Sequence, residues 1–259
     1  MKRRSDRSGE KDQTLHGIHP VREALLARRR GVRKIWMLAP GKGGARREGV
    51  EALAGEAGVA VEGATRERLT RLAGSDEHQG IVASVDPFPY EQEAELLTRI
   101  GEGGAPALVL ALDSIQDPRN LGSMIRCANT VGAHGVVIPK DRSAGITAAT
   151  AKASAGAVEY TPVVRVTNLV RTLEALKRAG LWIIGAVSDG EKTFDSFDAT
   201  APLALVIGGE EKGLRPLVRK RCDLCVSIPV AGEIASLNAA MAAAVLLHEV
   251  GRQRRLAGA

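Results

Sequence analysis

Aromatic residues are scarce in this chain of 259 residues, where Phe, Trp and Tyr together make up 3%. Proteins that bind single-stranded nucleic acid by stacking need a platform of such rings, and none is visible. Long apolar runs are missing too. The longest, Ala239–Leu247, is too short to cross a bilayer and indicates a buried helix. We therefore expect no membrane partner.

Cysteine is also rare, since the chain has only Cys127, Cys222 and Cys225. So small and odd a number disfavours a disulfide scaffold. Cys222 and Cys225 form a C-x-x-C pair, but one such pair gives only weak support for zinc or redox chemistry, and we interpret both as small core thiols. Spacings such as H-E-x-x-H do not occur, so we expect no metal.

Several nucleotide and hydrolase signatures are absent as well. No G-x-x-x-x-G-K-[ST] is present, which excludes a P-loop enzyme. No G-x-G-x-x-G or G-x-S-x-G is found, which disfavours a dinucleotide-binding domain and an α/β-hydrolase. The first residues, MKRRSDRSGEKDQT, are charged where a signal peptide is apolar. We therefore expect a cytoplasmic location.

Positive charge, in contrast, is in excess, with 36 Lys and Arg against 30 Asp and Glu. It is clustered in the N-terminal third, in a basic tail over 1–12 that we expect to be disordered, in Arg28–Arg30 with Arg33 and Lys34, and in Arg46-Arg47. Such clusters suggest an anionic partner such as RNA, although solvated surfaces show them too.

The alternation of apolar strands and helices predicts an α/β protein with two domains. We place a small α/β domain at 13–86, a linker with a helix at 87–105, and a larger domain at 106–255. The larger domain has strands that are apolar on both faces, which predicts a parallel sheet covered by helices. These strands are Leu108–Leu112, Val136–Ile138, Trp182–Val187, Leu203–Ile207 and Val226–Ile228. Such sheets bind ligands at their carboxyl edge.

The stretch after the first of these strands places unusual residues beside the core. Asn120 lies near the predicted start of a helix, Leu121–Gly132, and Gly122 and Arg126 share one stripe of it. We expect Asn120, Gly122 and Arg126 to border a cavity. A capped helix with a solvated arginine explains this stretch equally well.

Two later strands end in a similar way. Gly208, Gly209 and Glu210 follow one strand, and glycines there allow a ligand to approach the backbone. After another strand, Ser236-Leu237-Asn238 opens the final helix, where Ser236 and Asn238 also suit plain capping roles. Three strand ends with small and polar residues together indicate one pocket.

These stretches resemble a known family. The patterns N-x-G-x-x-x-R (Asn120–Arg126), G-G-E-x-x-G (Gly208–Gly213) and I-P-x-x-G…S-L-N (Ile228–Asn238) are similar to the three motifs of the SpoU/TrmH branch of the SPOUT methyltransferases. The likeness extends over 107–252. Around His16–Leu25 and His78–Ala83, the chain resembles the substrate-binding domain of bacterial 23S rRNA guanosine 2′-O-methyltransferases in this branch.

This resemblance implies a fold and an assembly. The larger domain would be a SPOUT α/β domain whose chain forms a deep trefoil knot, a topology that general rules disfavour. The smaller domain would be an L30e-like module that binds RNA. The protein would be a homodimer with its active site near the subunit interface.

The resemblance also implies a cofactor and residue roles. S-adenosyl-L-methionine would contact Gly208, Gly209, Ile228 and Leu237, largely through backbone groups. Arg126 would act on the substrate. We interpret it as a cation for phosphate and developing alkoxide charge, since an arginine stays protonated. Further catalytic-site residues, which would orient substrate and loops, are Asn120, Glu210, Ser236 and Asn238. Glu210 has the alternative role of pairing Arg126 or a loop amide.

The predicted activity is methylation of a ribose 2′-hydroxyl of a guanosine in 23S rRNA. A related enzyme acting on tRNA or another rRNA site is the alternative. The small domain favours the first, because an added RNA-binding module suits a large structured target. A non-catalytic RNA-binding protein of ribosome assembly is the third hypothesis, and it would predict degraded motif loops.

Overall fold

The computed structural model describes residues 12–38, 44–102, 105–233 and 236–258. The chain divides into two compact units between Pro89 and Tyr90. The basic tail predicted at 1–12 lies outside the described residues except for Asp12, and so do the side chains of Arg46 and Arg47. In the described ranges, no helix is both long enough and apolar enough to span a membrane.

The first unit is a four-stranded sheet with three helices. Its elements are β1 (Gln13–His16), α1 (Ile18–Ala27), β2 (Val32–Leu38), α2 (Gly44–Glu56), β3 (Ala60–Ala64), α3 (Arg66–Ala73) and β4 (Ile81–Val85). The strand order is β1-β4-β2-β3, with β2 and β3 parallel and β4 antiparallel to both neighbours. Local chemistry sets the ends of α3, since Thr65 caps it and Gly74 ends it at φ 66°.

The second unit is a seven-stranded sheet with helices between its strands. Its elements are α4 (Glu93–Glu102), β5 (Leu108–Asp113), α5 (Pro118–Thr130), β6 (Gly135–Pro139), α6 (Ala148–Ala153), β7 (Val163–Val166), α7 (Leu169–Arg178), β8 (Trp182–Ala186), β9 (Lys192–Thr193), β10 (Leu203–Gly208), α8 (Pro216–Arg219), β11 (Leu224–Ser227) and α9 (Ala239–Ala257). The order is β7-β6-β5-β10-β8-β11-β9, and every pairing is parallel.

The two central strands explain why this sheet forms. Every residue of β5 and β10 is buried, which fits strands covered on both faces. They pair in register from Leu203 opposite Leu108 to Gly208 opposite Asp113. The predicted α/β class with a parallel sheet is confirmed, and all carboxyl ends of the strands lie along one edge, the carboxyl edge. The trefoil knot stays a prediction of the family resemblance.

The segment predicted as a linker, 87–105, is partly packed. Helix α4 buries Leu96 and Ile100 in the core of the second unit. Arg99 on this helix donates to Glu91 at 2.9 Å and to the carbonyl of His134 at 3.2 Å. Residues 90–102 are therefore held by the second unit through apolar and polar contacts.

Candidate active site

A cavity of about 460 Å³ opens at the carboxyl edge of the second unit, beside β8, β10 and β11. Its walls come from the loops that follow these strands and from the start of α9. Of the residues that the sequence predicts for the site, six line the cavity: Gly208, Gly209, Glu210, Ile228, Ser236 and Leu237. The structure thus brings together stretches that are far apart in the chain, as the motifs predict.

The loop after β10 folds back onto itself, and this requires glycine. A Cβ on Gly208 would lie 2.2 Å from the carbonyl carbon of Gly213, and one on Gly209 would lie 2.6 Å from the carbonyl oxygen of Ser114. The amide of Gly213 donates to the carbonyl of Gly209 at 2.9 Å, and Gly213 has φ 59°, which favours glycine. The cavity wall here is therefore mostly backbone.

A buried carboxylate fastens this loop to the neighbouring strand. Asp113, the last residue of β5, is 0% exposed. It accepts hydrogen bonds from the backbone amide of Arg215 at 2.8 Å and from Arg215 Nε at 2.6 Å. Sequence reasoning gave Asp113 no role, although a charged residue at the end of a wholly apolar strand was the available signal. It fixes the exit of the loop that lines the cavity.

Three polar side chains, one from each motif, form a chain of hydrogen bonds. Asn120 donates through Nδ2 to Glu210 Oε1. Asn238 donates through Nδ2 to Asn120 Oδ1 at 3.3 Å. Asn238 also caps α9 by accepting from the amide of Ala240 at 2.8 Å. Glu210 therefore contacts a side-chain amide, while its alternative role was to pair Arg126 or a loop amide.

Two local predictions at the start of α5 are wrong. The capping residue is Asp117, which accepts from the amide of Arg119 at 2.9 Å, and Asn120 lies inside the first turn. Pro118 at the first helical position explains the earlier start, because its fixed φ suits a helix. Gly122 is packed against helix α6, since a Cβ there would lie 2.5 Å from the carbonyl oxygen of Thr150.

Arg126 does not join the cavity. It is exposed on α5 and lies about 120° around the helix axis from Asn120, because each residue turns by about 100°. In the described part of the chain, its guanidinium has no hydrogen-bond or ion-pair partner. The cavity predicted between Asn120, Gly122 and Arg126 is therefore not formed within one chain.

Sequence reasoning also missed a charged pair in the wall. Arg219 of α8 and Asp189 after β8 both line the cavity, and Arg219 NH2 lies 2.9 Å from Asp189 Oδ2. The hydrogen bond from Arg219 lowers the pKa of Asp189 below its usual range. Neither residue is in a motif, so only the fold reveals the pair.

The C-x-x-C pair packs within the second unit. Gly185 leaves room for Cys222, since a Cβ on Gly185 would lie 2.7 Å from its Sγ. Burial raises the pKa of the Cys222 thiol to about 12. Both Cys222 and Cys225 are free thiols.

Comparison with known proteins agrees with this geometry. Residues 107–248 match the SpoU rRNA Methylase family, and residues 14–91 match the RNA 2′-O ribose methyltransferase substrate binding domain. The chain is 41% identical to YacO of Bacillus subtilis, whose provisional name places it among TrmH family tRNA/rRNA methyltransferases. That match covers 93% of this chain and 96% of YacO.

A second relative and a solved structure extend the match. The chain is 39% identical to the 23S rRNA (guanosine-2′-O-)-methyltransferase RlmB of Pseudomonas putida, over 94% of this chain and 98% of RlmB. It also resembles the crystal structure of the SpoU methyltransferase AviRb from Streptomyces viridochromogenes in complex with AdoMet. That match has a TM-score of 0.77 and 28% identity and covers 95% and 91% of the two chains. The chain therefore belongs to the SpoU family of RNA methyltransferases.

Proposed function

We propose that this protein transfers a methyl group from S-adenosyl-L-methionine to the ribose 2′-hydroxyl of a guanosine in 23S rRNA. The observation that supports this most is the single cavity formed by the loops after β8, β10 and β11, with the second and third family motifs in its wall. The first motif is joined to it through the bond between Asn120 and Glu210.

The residues present fit the proposed cofactor. Ligand cavities usually have volumes of about 300–1,000 Å³, and this one has about 460 Å³. Ile228 and Leu237 offer apolar surface, while Gly208 and Gly209 expose backbone groups that suit a polar nucleoside. The cofactor, when bound, supplies an electrophilic methyl group on a sulfonium.

The polar chain at the border would position the substrate. Asn120, Glu210 and Asn238 hold one another, so their side chains are oriented before the RNA arrives. Ser236 and Glu210 both lie in the cavity wall. Fixing a hydroxyl close to the reacting methyl group makes a displacement effectively intramolecular, which lowers the barrier. We propose these four residues as the groups that orient the ribose.

Arg126 remains the proposed cation for the phosphate next to the reacting ribose. It does not line the cavity of its own chain. Its role is therefore tied to the homodimer, in which the family resemblance places the active site near the subunit interface. The 239–257 helix, with its run of small residues, is the proposed contact between subunits. A guanidinium also stabilises negative charge that develops on the attacking oxygen.

We propose that the first unit recognises the RNA. It matches a substrate-binding domain over 14–91, which supports a large structured RNA as the target. The alternative target is tRNA or another rRNA site. The domain limits 13–86, 87–105 and 106–255 stay proposals, and a cytoplasmic location goes with this function.

The proposal is tested with radiolabelled S-adenosyl-L-methionine. Naked 23S rRNA, ribosome-assembly intermediates and bulk tRNA are incubated with the protein, and the modified nucleotide is mapped. We expect incorporation at one guanosine of 23S rRNA. Incorporation into tRNA alone would support the alternative. Cofactor binding without methylation of any RNA would support a non-catalytic role.

A further inference from the structure

We propose that four basic residues bind the phosphate backbone of the RNA. They lie at the carboxyl ends of β5, β6 and β7, next to the half of the carboxyl edge that contains the cavity. These residues are Arg119, Lys140, Arg142 and Arg165, and we refer to them as the basic rim. The inference rests on the proposed function, because it assigns a binding surface for the RNA substrate of that same site.

The order of the strands places the cavity and the basic rim side by side. The cavity lies at the ends of β10, β8 and β11, on one side of the sheet. The other side consists of β5, β6 and β7, whose carboxyl ends lie along the same edge because all strands are parallel. Arg119 follows β5, Lys140 and Arg142 follow β6, and Arg165 belongs to β7.

A path of direct contacts connects the two sides. From the cavity loop, Arg215 bonds to Asp113 at the end of β5. Two residues further, the carbonyl of Ile115 accepts from the amide of Ala144 at 2.7 Å and from Ser143 Oγ at 3.2 Å. The loop that carries Lys140 and Arg142 is thereby held against the loop that leads to Asn120.

The far end of the basic rim is also held in place. Arg165 NH2 donates to the carbonyl of Lys140 at 3.2 Å, and its guanidinium lies 5.4 Å from the centre of the Tyr90 ring. The Tyr90 hydroxyl accepts from the amide of Ile146 at 2.8 Å. These contacts fix the strand-end loop without using the remaining donors of Arg165.

The charges of the basic rim are available to a ligand. All four residues are exposed, and none forms a salt bridge with a carboxylate of the described residues. Elsewhere in this unit, cations such as Arg99, Lys177 and Arg252 are paired with carboxylates. Asp117 and Asp141 lie in the same loops, and Asp117 is engaged in capping α5.

The backbone at Arg142 lies in the left-handed region. Its φ is 56°, a left-handed conformation that costs free energy for a residue with a side chain. Glycine would adopt it without strain. The Arg142 side chain is exposed at this edge, where a phosphodiester would match its positive charge.

Contacts to phosphates position a nucleic acid without reading its sequence. A strand that follows the basic rim would lead toward the border of the cavity, where Asn120 and Glu210 lie. The chemistry therefore points to a single-stranded RNA segment whose phosphates lie along the β5, β6 and β7 ends, with the reacting ribose at the cavity.

The test compares salt dependence of RNA binding. The variant Lys140→Gln/Arg142→Gln/Arg165→Gln removes three charges and keeps a polar side chain at each position. Binding of naked 23S rRNA is measured by filter retention between about 50 and 200 mM KCl. We expect the plot of log K against log salt to become shallower by about 2, since each phosphate contact in a single strand contributes about 0.7.

Arg178→Gln is the matched control. Arg178 is exposed at the end of α7, which runs back toward the amino ends of the strands, and it has no ion-pair partner among the described residues. The slope of log K for RNA binding against log salt should be the same for Arg178→Gln as for wild type. The single variant Arg142→Gln, which breaks no contact of the described residues, guards against loop disruption and should reduce the slope by about 0.7.

Titration with the cofactor separates failure of the basic-rim proposal from failure of the proposed methyltransferase function. The basic-rim variant should bind S-adenosyl-L-methionine like wild type, with a raised KM for RNA and an unchanged kcat. A slope equal to that of wild type in the triple and single variants would overturn the basic rim, whatever the cofactor result. Absence of cofactor binding in the wild-type protein would instead count against the proposed function.

Discussion

At the scale of single residues, Asp113 shows how a buried group shapes a site that it does not line. Both oxygens of its carboxylate accept from Arg215 at the exit of the cavity loop, and Oδ1 also accepts from the Ser114 hydroxyl. Because Asp113 is wholly buried, removing its charge weakens a bond that solvent does not replace. A weaker bond to Arg215 would loosen the loop that also contains Gly208 and Gly209, which line the cavity.

We predict that Asp113→Asn weakens binding of S-adenosyl-L-methionine by roughly 5- to 150-fold. The amide keeps one acceptor and turns the other into a donor that faces Arg215, a cost of about 1–3 kcal/mol. Titration calorimetry measures the change. Glu174→Gln is the control, since it removes an exposed ion pair with Arg221, and such pairs contribute little. Equal affinities of Asp113→Asn and wild type would refute the role of Asp113.

The motif residues were predictable and their mutual contacts were not. Glycines and polar residues after apolar strands indicated Gly208, Gly209, Glu210 and Ser236, and the family resemblance added Ile228 and Leu237; all six line the cavity. The role of Gly122 was misjudged because a missing side chain serves a helix contact as well as a ligand contact. Sequence spacing does not tell which partner fills the space.

At the scale of elements, helix α9 is anchored by one arginine near its end. Arg254 donates to the carbonyls of Ala199, Pro106, Ala107 and Ala201, with bonds between 2.6 and 3.1 Å. Burial lowers the pKa of this guanidinium. The four carbonyls lie just before β5 and β10, so Arg254 ties α9 to the two central strands.

We predict that Arg254→Gln lowers the free energy of unfolding by about 2–3 kcal/mol and Tm by roughly 5–10 °C. A shorter neutral amide cannot reach four carbonyls. The neighbouring Arg255→Gln is the matched control, because Arg255 is exposed, and its Tm should stay within about 1–2 °C of wild type. Calorimetry that gives the two variants the same Tm would contradict this anchoring role.

The elements themselves were predicted to different degrees. Strands β5, β6, β8 and β10 were recognisable because buried parallel strands are apolar on both faces. Strands β1, β7 and β9 were missed, since they have only two to four residues and contain polar or charged side chains. Their strand conformation comes from pairing with neighbours, and that pairing is not encoded in local periodicity.

At the scale of the whole molecule, the two units divide the proposed task. The cavity and the basic rim lie in the second unit, and the substrate-binding match covers the first.

Arg126 requires a second chain for its proposed role. We predict that light scattering after gel filtration gives a mass of twice the 27.3 kDa of the chain. A monomer that methylates RNA at full rate would contradict the proposed role of the dimer.

The central claim is that the loops after β8, β10 and β11 form a cofactor site with a backbone wall. Titration calorimetry with S-adenosyl-L-methionine tests it on the wild-type protein, on Gly208→Ala and on Gly55→Ala. Gly55 lies on helix α2 of the first unit with open space around its Cβ position, so it is the control. We predict one cofactor per chain for wild type and Gly55→Ala, and no measurable binding for a folded Gly208→Ala. Binding of Gly208→Ala with wild-type affinity, or no binding by wild type, would contradict the account.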